Sequence, residues 1–263
     1  MGSRLNCILV LELDDTRVSS GVSGLDGLLE GGLIKGRSVL LAGGPGTGKS
    51  ILSWQFLFDG ISKGETGVLV SLDQSRQLLI EDMSKMGWDA REAIDSNSLT
   101  LLSGDLRIIP RETGYEYMIA FDHPMLREQP FTVPRLASVV KEKAREISAT
   151  RIVVDGIGPL LELAGSHFEI RQLVYSFMKE IVTKDGTVLM THELRSQPRA
   201  TNDEMPYFIS DGVIKLDMVK SSGDFVRTLR IVKMRGTSHV MRPVMFKISD
   251  DGITLFPETR LPD

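Results

Sequence analysis

The chain has 263 residues, 41% of them hydrophobic and 25% charged, with a formal net charge of −4. That length suits one large α/β domain, or a domain with an accessory piece, and the composition allows a full core. The acid excess gives no electrostatic case for nucleic acid as an obligatory partner, although local basic patches are compatible with it. No apolar run approaches the about 18 residues of a membrane span, and the single Cys7 excludes an internal disulfide or a multi-cysteine zinc site.

The start, Met1-Gly2-Ser3-Arg4, has no long apolar region or small-residue cleavage site, and together with the lone cysteine and the short apolar runs this makes the cytoplasm the expected compartment. Residues 5–13 read as an apolar strand ended by Asp14-Asp15, an extension ahead of a main domain spanning residues 17–257, with a short tail over 258–263. Cys7 lies in that run and reads as a small buried hydrophobe. A short helix between glycines follows over Ser20–Leu29, and Gly31-Gly32 and Lys35-Gly36 turn the chain into a strand, Ser38–Ala42.

That strand runs into Gly43-Gly44-Pro45-Gly46-Thr47-Gly48-Lys49-Ser50 and then an apolar helix from Lys49 to about Lys63. Strand, glycine-rich loop and helix with G-x-x-x-x-G-K-[ST] spacing make a phosphate-binding loop. Glycines let successive N–H groups point inward, and the helix start adds unpaired N–H groups and the positive end of its dipole. Gly44 to Ile51 therefore form the candidate phosphate cradle. Lys49 is placed as the mobile cation on the outer phosphates, and the Ser50 hydroxyl as a Mg²⁺ ligand.

Gly67–Asp73 reads as a strand, followed by a helix with Leu79, Met83 and Met86 on one face, and Leu99–Leu102 as another strand. Residues 104–133 show no sustained period and read as a long loop or small insertion, packed by Tyr115, Tyr117 and Phe121. Pro134 opens a helix with Leu136, Val140, Ala144 and Ile147 on its stripe. A strand, Arg151–Asp155, a helix from about Phe168 to Thr183 and a strand, Thr187–Met190, come next. From Gly212 the rhythm changes to paired strands turning at Ser221–Asp224 and at Asp250-Asp251-Gly252. The expected fold is α/β: a mostly parallel central sheet flanked by helices, extended by C-terminal antiparallel hairpins.

Three strand ends carry polar groups to the edge where the phosphate loop opens. Asp155 is the natural second Mg²⁺ contact. Asp73 can orient and deprotonate a water aimed at the γ-phosphate, or Asp73 or Ser75 can cap the next helix. Thr191 and Glu193 either report the phosphate state or are plain surface polarity. His192-Glu193 starts like a zinc-protease helix, but Ser196 stands where the second histidine belongs, and the four histidines have no ligand spacing.

Lys233-Met234-Arg235-Gly236-Thr237-Ser238-His239, followed by Phe246–Ile253, resembles the C-terminal signature of KaiC-like ATPases in the RecA superfamily. Gly21–Asp26, Gly31-Gly32, Gly87-Trp88-Asp89 and Phe208–Val213 match in the same order. The resemblance implies a RecA-like P-loop core, ATP with Mg²⁺, and a homo-oligomeric ring, usually a hexamer, with nucleotide between subunits. It places Lys233 and Arg235 on the neighbour's triphosphate, and Met234, Thr237, His239, Ser249 and Asp250 around base and sugar. Lys233 and Arg235 stand two apart on a strand and so share a face.

Where that family carries two adjacent glutamates this chain has Asp73-Gln74, so slow hydrolysis is expected, and no autokinase. Three functions compete: a regulatory ring ATPase whose protein client is unknown, a DNA-repair accessory ATPase similar to the archaeal RadA paralogues, and a nucleotide switch with negligible turnover. Only Arg195 and Arg199 in the candidate DNA-facing loops favour a phosphate backbone.

Overall fold

The structure is a computed structural model that describes residues 17–111, 114–121, 132–162, 166–194, 205–221 and 223–259, with side chains outside 105–121. The expected strand over 5–13, Cys7, and the side chains of Tyr115, Tyr117 and Phe121 lie outside that set, as do Arg195 and Arg199.

The described residues open with β1 (Arg17–Val18), a 3-10 turn (Asp26–Leu29) and β2 (Leu33–Ile34), which pairs antiparallel with β1. The β-α repeats follow: β3 (Ser38–Gly43), α1 (Lys49–Ser62), β4 (Gly67–Ser71), α2 (Arg76–Lys85), α3 (Ala90–Asp95), β5 (Leu99–Arg111) and β6 (Gly114–Phe121). Then come α4 (Val133–Glu146), β7 (Arg151–Asp155), α5 (Gly158–Glu162), α6 (His167–Ile181), β8 (Thr187–Glu193) and α7 (Met205–Ile209). Four strands finish the fold: β9 (Gly212–Ser221), β10 (Asp224–Met234), β11 (Val244–Ser249) and β12 (Gly252–Phe256).

Among the described residues ten strands make one sheet in the order β12-β11-β10-β9-β3-β8-β7-β4-β5-β6. The block from β9 to β5 is parallel, and both flanks are antiparallel. This is the expected mixed α/β fold, with helices on both faces. Because strand side chains alternate, the central strands feed two separate cores. Val39, Leu41, Leu69, Val153 and Leu189 pack toward α1, α2 and α3, while Leu40, Ala42, Val68, Val154 and Met190 pack toward α4 and α6.

Helix ends follow local chemistry. Thr132, Asp89 and Ser166 each accept a bond from the N–H three residues on, at the starts of α4, α3 and α6. The stretch read as an irregular insertion is partly a hairpin: β5 continues to Arg111 and pairs with β6 from Gly104↔Phe121 to Arg111↔Gly114. Beyond Ser103, β5 has left β4 behind, and on such an edge Gly104 and Pro110, which broke the sequence pattern, are tolerated.

Arg151 is the largest fully buried side chain among the described residues and ties three segments together. Its guanidinium forks onto Glu65 at 2.8 and 3.0 Å, donates to Phe56 O at 2.6 Å and Ser19 O at 3.0 Å, and pairs with Asp59 at 3.1 Å. It also lies 4.7 Å over the Phe56 ring.

Candidate functional site

Parallel register brings the polar strand ends to one level. Gly43 stands beside Glu193, and Ser71 beside Asp155. The phosphate loop leaves β3 at this edge, and a cleft of about 800 Å³ opens there, a size suited to a nucleotide. Pro45, Gly46, Gly48, Lys49, Ser50 and Ile51 line it together with Asp73, Asp155, Thr191 and Glu193.

The loop holds its shape through its own atoms. Thr47 Oγ1 donates to Gly44 O at 2.8 Å, and Lys49 Nζ donates to Gly43 O at 3.0 Å and Gly44 O at 2.7 Å. Gly48 has φ +100°, in the region that favours glycine, and a Cβ there would stand 2.9 Å from Ile248 Cδ1. Burial lowers the Lys49 pKa, against the raising charges of Glu193, Asp155 and Asp73.

Asp155 is buried at the end of β7 and accepts hydrogen bonds from Thr191 and Ser50. Burial raises its pKa, while those two hydroxyls and Lys49 pull it down. The two residues expected to share a metal are therefore already partners. Asp73 lies just beyond β4, its carboxyl pushed up to about 6 by loss of hydration and then by the charges of Asp155 and Glu193. Ser75, the residue before α2, makes no side-chain cap bond.

The C-terminal signature divides in two. β11 ends beside the loop, as the Ile248 contact with Gly48 shows, so Ser249 and Asp250 follow it on the phosphate-loop edge. Lys233 pairs with Val213, which pairs with Leu40, near the start of β3. Lys233, Arg235, Thr237 and His239 thus lie toward the opposite edge of the sheet, about 10 Å or more back along the strand direction from Gly43. Met234 turns its side chain into the core against Gly212 and Val39, leaving its backbone as the part available to a ligand. Thr237 Oγ1 accepts from Arg17 Nη1 at 2.7 Å.

One cleft residue escaped the sequence reading. Arg227 of β10 points at the loop, with Nη2 3.4 Å from Gly46 O, and its buried Nε has no protein partner among the described residues. Its only signal is register, since its strand has other basic residues with no distinguishing spacing. Among the described residues no cluster of three His, Cys, Asp or Glu suited to a metal occurs, and no helix is long and apolar enough to cross a membrane.

Known proteins resemble this chain over most of its length. The chain is 34% identical over 243 residues to a UPF0273 protein of Aeropyrum pernix, covering 92% of this chain and 94% of that one. It is 29% identical to the circadian clock oscillator protein KaiC of Parathermosynechococcus lividus, matching 90% of this chain but 42% of that longer protein. The crystal structure of a KaiC-like protein from the hyperthermophilic archaeon Pyrococcus horikoshii superposes with a TM-score of 0.75 at 28% identity, covering 92% of this chain and 99% of that chain. The sequence profile of the KaiC ATPase matches residues 18–260. With a phosphate loop, a paired hydroxyl and carboxylate beneath it, and that match over nearly its whole length, the chain belongs to the KaiC ATPase family.

Proposed function

We propose that this protein binds ATP with Mg²⁺ in the cleft above β3 and hydrolyses it slowly at the contact between two copies of the chain. The observation that carries the reading is the separation of one catalytic set onto two sheet edges. The cradle, Ser50, Asp155 and Asp73 stand on one edge, and Lys233 and Arg235 toward the other. No single protomer brings both to one phosphate.

The donor set fits a small hard cation. One hydroxyl and one buried carboxylate, already hydrogen-bonded to each other, leave the remaining positions to phosphate oxygens and water, as Mg²⁺ prefers. Bound there, the ion would neutralise charge on the outer phosphates. The chain's own residues do the rest. Loop N–H groups and Lys49 hold the phosphates, and Arg227 adds a cation from the same protomer. Ser249 and Asp250 flank the base and sugar from the same side.

Asp73 orients the attacking water and takes its proton. A carboxylate with pKa near 6 is a stronger base than an ordinary aspartate and remains ionised at neutral pH. Lys233 and Arg235 of the adjoining protomer, with Thr237 and His239, close the site and stabilise charge as it develops on the γ-phosphate. Gln74, uncharged and also lining the cleft, supports slow turnover. The ring form, a regulatory role and a cytoplasmic setting belong to this same reading.

Light scattering with and without ATP and Mg²⁺, beside a hydrolysis assay, tests it on the parent and on Arg235→Ala. The variant is expected to bind nucleotide as the parent does, yet to lose hydrolysis or ATP-dependent assembly. Parental assembly and turnover in Arg235→Ala would refute it, and assembly without any turnover in the parent would leave a nucleotide switch.

A further inference from the structure

Arg37 immediately precedes β3, on the edge that carries Lys233 and Arg235 rather than the phosphate loop. Along a strand it is about 20 Å from Gly43, too far to touch a phosphate in its own cradle. It is exposed, and its Nη1 stands 3.4 Å from Asp211 Oδ1. Arg235 Nη1 stands at the same 3.4 Å from the same oxygen. One carboxylate oxygen therefore holds two guanidinium groups side by side.

That carboxylate is itself fixed. Asp211 Oδ2 accepts from Ser38 N at 3.2 Å and Ser38 Oγ at 3.0 Å, and the Asp211 backbone bonds Ser38 O and Arg235 N, each at 3.0 Å. Burial raises the Asp211 pKa, but Ser38 and the two arginines outweigh it and hold the carboxyl below its ordinary value. Lys233 is anchored nearby, donating to Tyr207 O at 2.6 Å.

Three cations thus meet one carboxylate among the described residues, a local positive surplus in a chain of net charge −4. Such a surplus is stabilised when an anion faces it. The phosphate-loop cleft is its complement: Asp73, Asp155 and Glu193 against Lys49 and Arg227, before any triphosphate is added.

We propose that Arg37 is a third cation of the face that meets the neighbouring copy, held beside Arg235 by Asp211 and contacting the triphosphate in that copy's cradle. The proposal rests on the reading that hydrolysis occurs between copies, and it adds a contact from an element outside the C-terminal signature. Its ligand is the outer phosphates of a nucleotide, presented by a second copy of this chain.

Arg37→Ala, Arg235→Ala and Lys49→Ala are each assayed alone for hydrolysis, then mixed in pairs at equal amounts under conditions that allow protomers to exchange. Arg37→Ala alone is expected to lose about tenfold or more in turnover. Its affinity for a fluorescent ATP analogue, measured without assembly, should match the parent, which also shows that the variant is folded. Mixed with Lys49→Ala it should regain activity. About one interface in four then joins an intact cradle to an intact Arg37, so about a quarter of parental turnover returns. Arg37→Ala turning over at the parental rate overturns the proposal. So does a mixture no more active than its components while the Arg235→Ala and Lys49→Ala mixture is restored. If neither mixture recovers, the reading of a site shared between copies falls as well.

Discussion

Replacing Arg151 by methionine gives the sharpest test of what holds the site in place. The substitution keeps most of the side-chain volume and deletes the guanidinium that joins Ser19, the phosphate-loop helix and the start of β7. Removing one partner of a buried ion pair costs about 3–5 kcal/mol, because the other charges remain without it. Here the partners are not sealed: the Asp59 and Glu65 side chains are 19% and 31% exposed and recover some hydration. Phe56 O keeps its helical setting but loses a 2.6 Å bond. The expected loss is therefore about 3 kcal/mol, the lower end of that range.

With a urea slope of about 3 kcal/mol per molar for a chain of this size, the unfolding midpoint should fall by about 1 M. The measurement is made without nucleotide and at low protein concentration, since ligand and assembly both raise apparent stability. The pH dependence has a defined sign. Glu65 is held below its ordinary value chiefly by the Arg151 fork. Asp59 is raised by burial but brought lower by Ser19, Lys63 and Arg151. Depressed carboxyls contribute stability that is present above their ordinary values of about 4 and lost as pH falls through the lowered ones. The gap between parent and Arg151→Met should narrow as pH drops toward about 3. A midpoint within about 0.2 M of the parent at pH 7, or a gap that widens in acid, would refute the reasoning.

Hydrolysis should depend on Asp73 being ionised. In the free protein its carboxyl titrates at about 6, so kcat/KM should fall about tenfold per unit below that and level off above pH 7. Asp73→Asn should lose the limb while still binding nucleotide, and an unchanged profile would remove Asp73 from the role. Gly48→Ala forces a side chain into a left-handed conformation that costs about 1–2 kcal/mol. Titration calorimetry should therefore show nucleotide affinity weakened by about tenfold, and parental affinity would mean that the loop relaxes freely.

Much of this was legible because the central strands are short, apolar and bounded by glycines. Burial on both faces makes such strands read clearly, and parallel pairing then sends every strand end to one edge. From Lys49, Ser50 and Asp155 alone the site could be assembled on that logic. What failed to read was whatever depends on antiparallel register. Ser249 and Asp250 fall beside the loop while Lys233 to His239 fall away from it, although the two stretches are near in sequence. Arg227 became visible only through its reach to Gly46, and the Met234 side chain lies in the core. Gly104, Pro110 and Gly114 disguised a hairpin as a loop. Arg151 read as the opening of an apolar strand, since nothing local shows that Glu65, Asp59 and Ser19 converge on it.

Placing the cradle and the cation group on different edges gives each molecule a front and a back. On the proposed reading, each copy gives its cations to the cradle of the next, a head-to-tail contact. Were that contact to repeat in one direction, a finite stack would carry one idle cradle at its leading end unless the last copy met the first. Closure would then have a direct chemical benefit: it would convert that idle cradle into a working one.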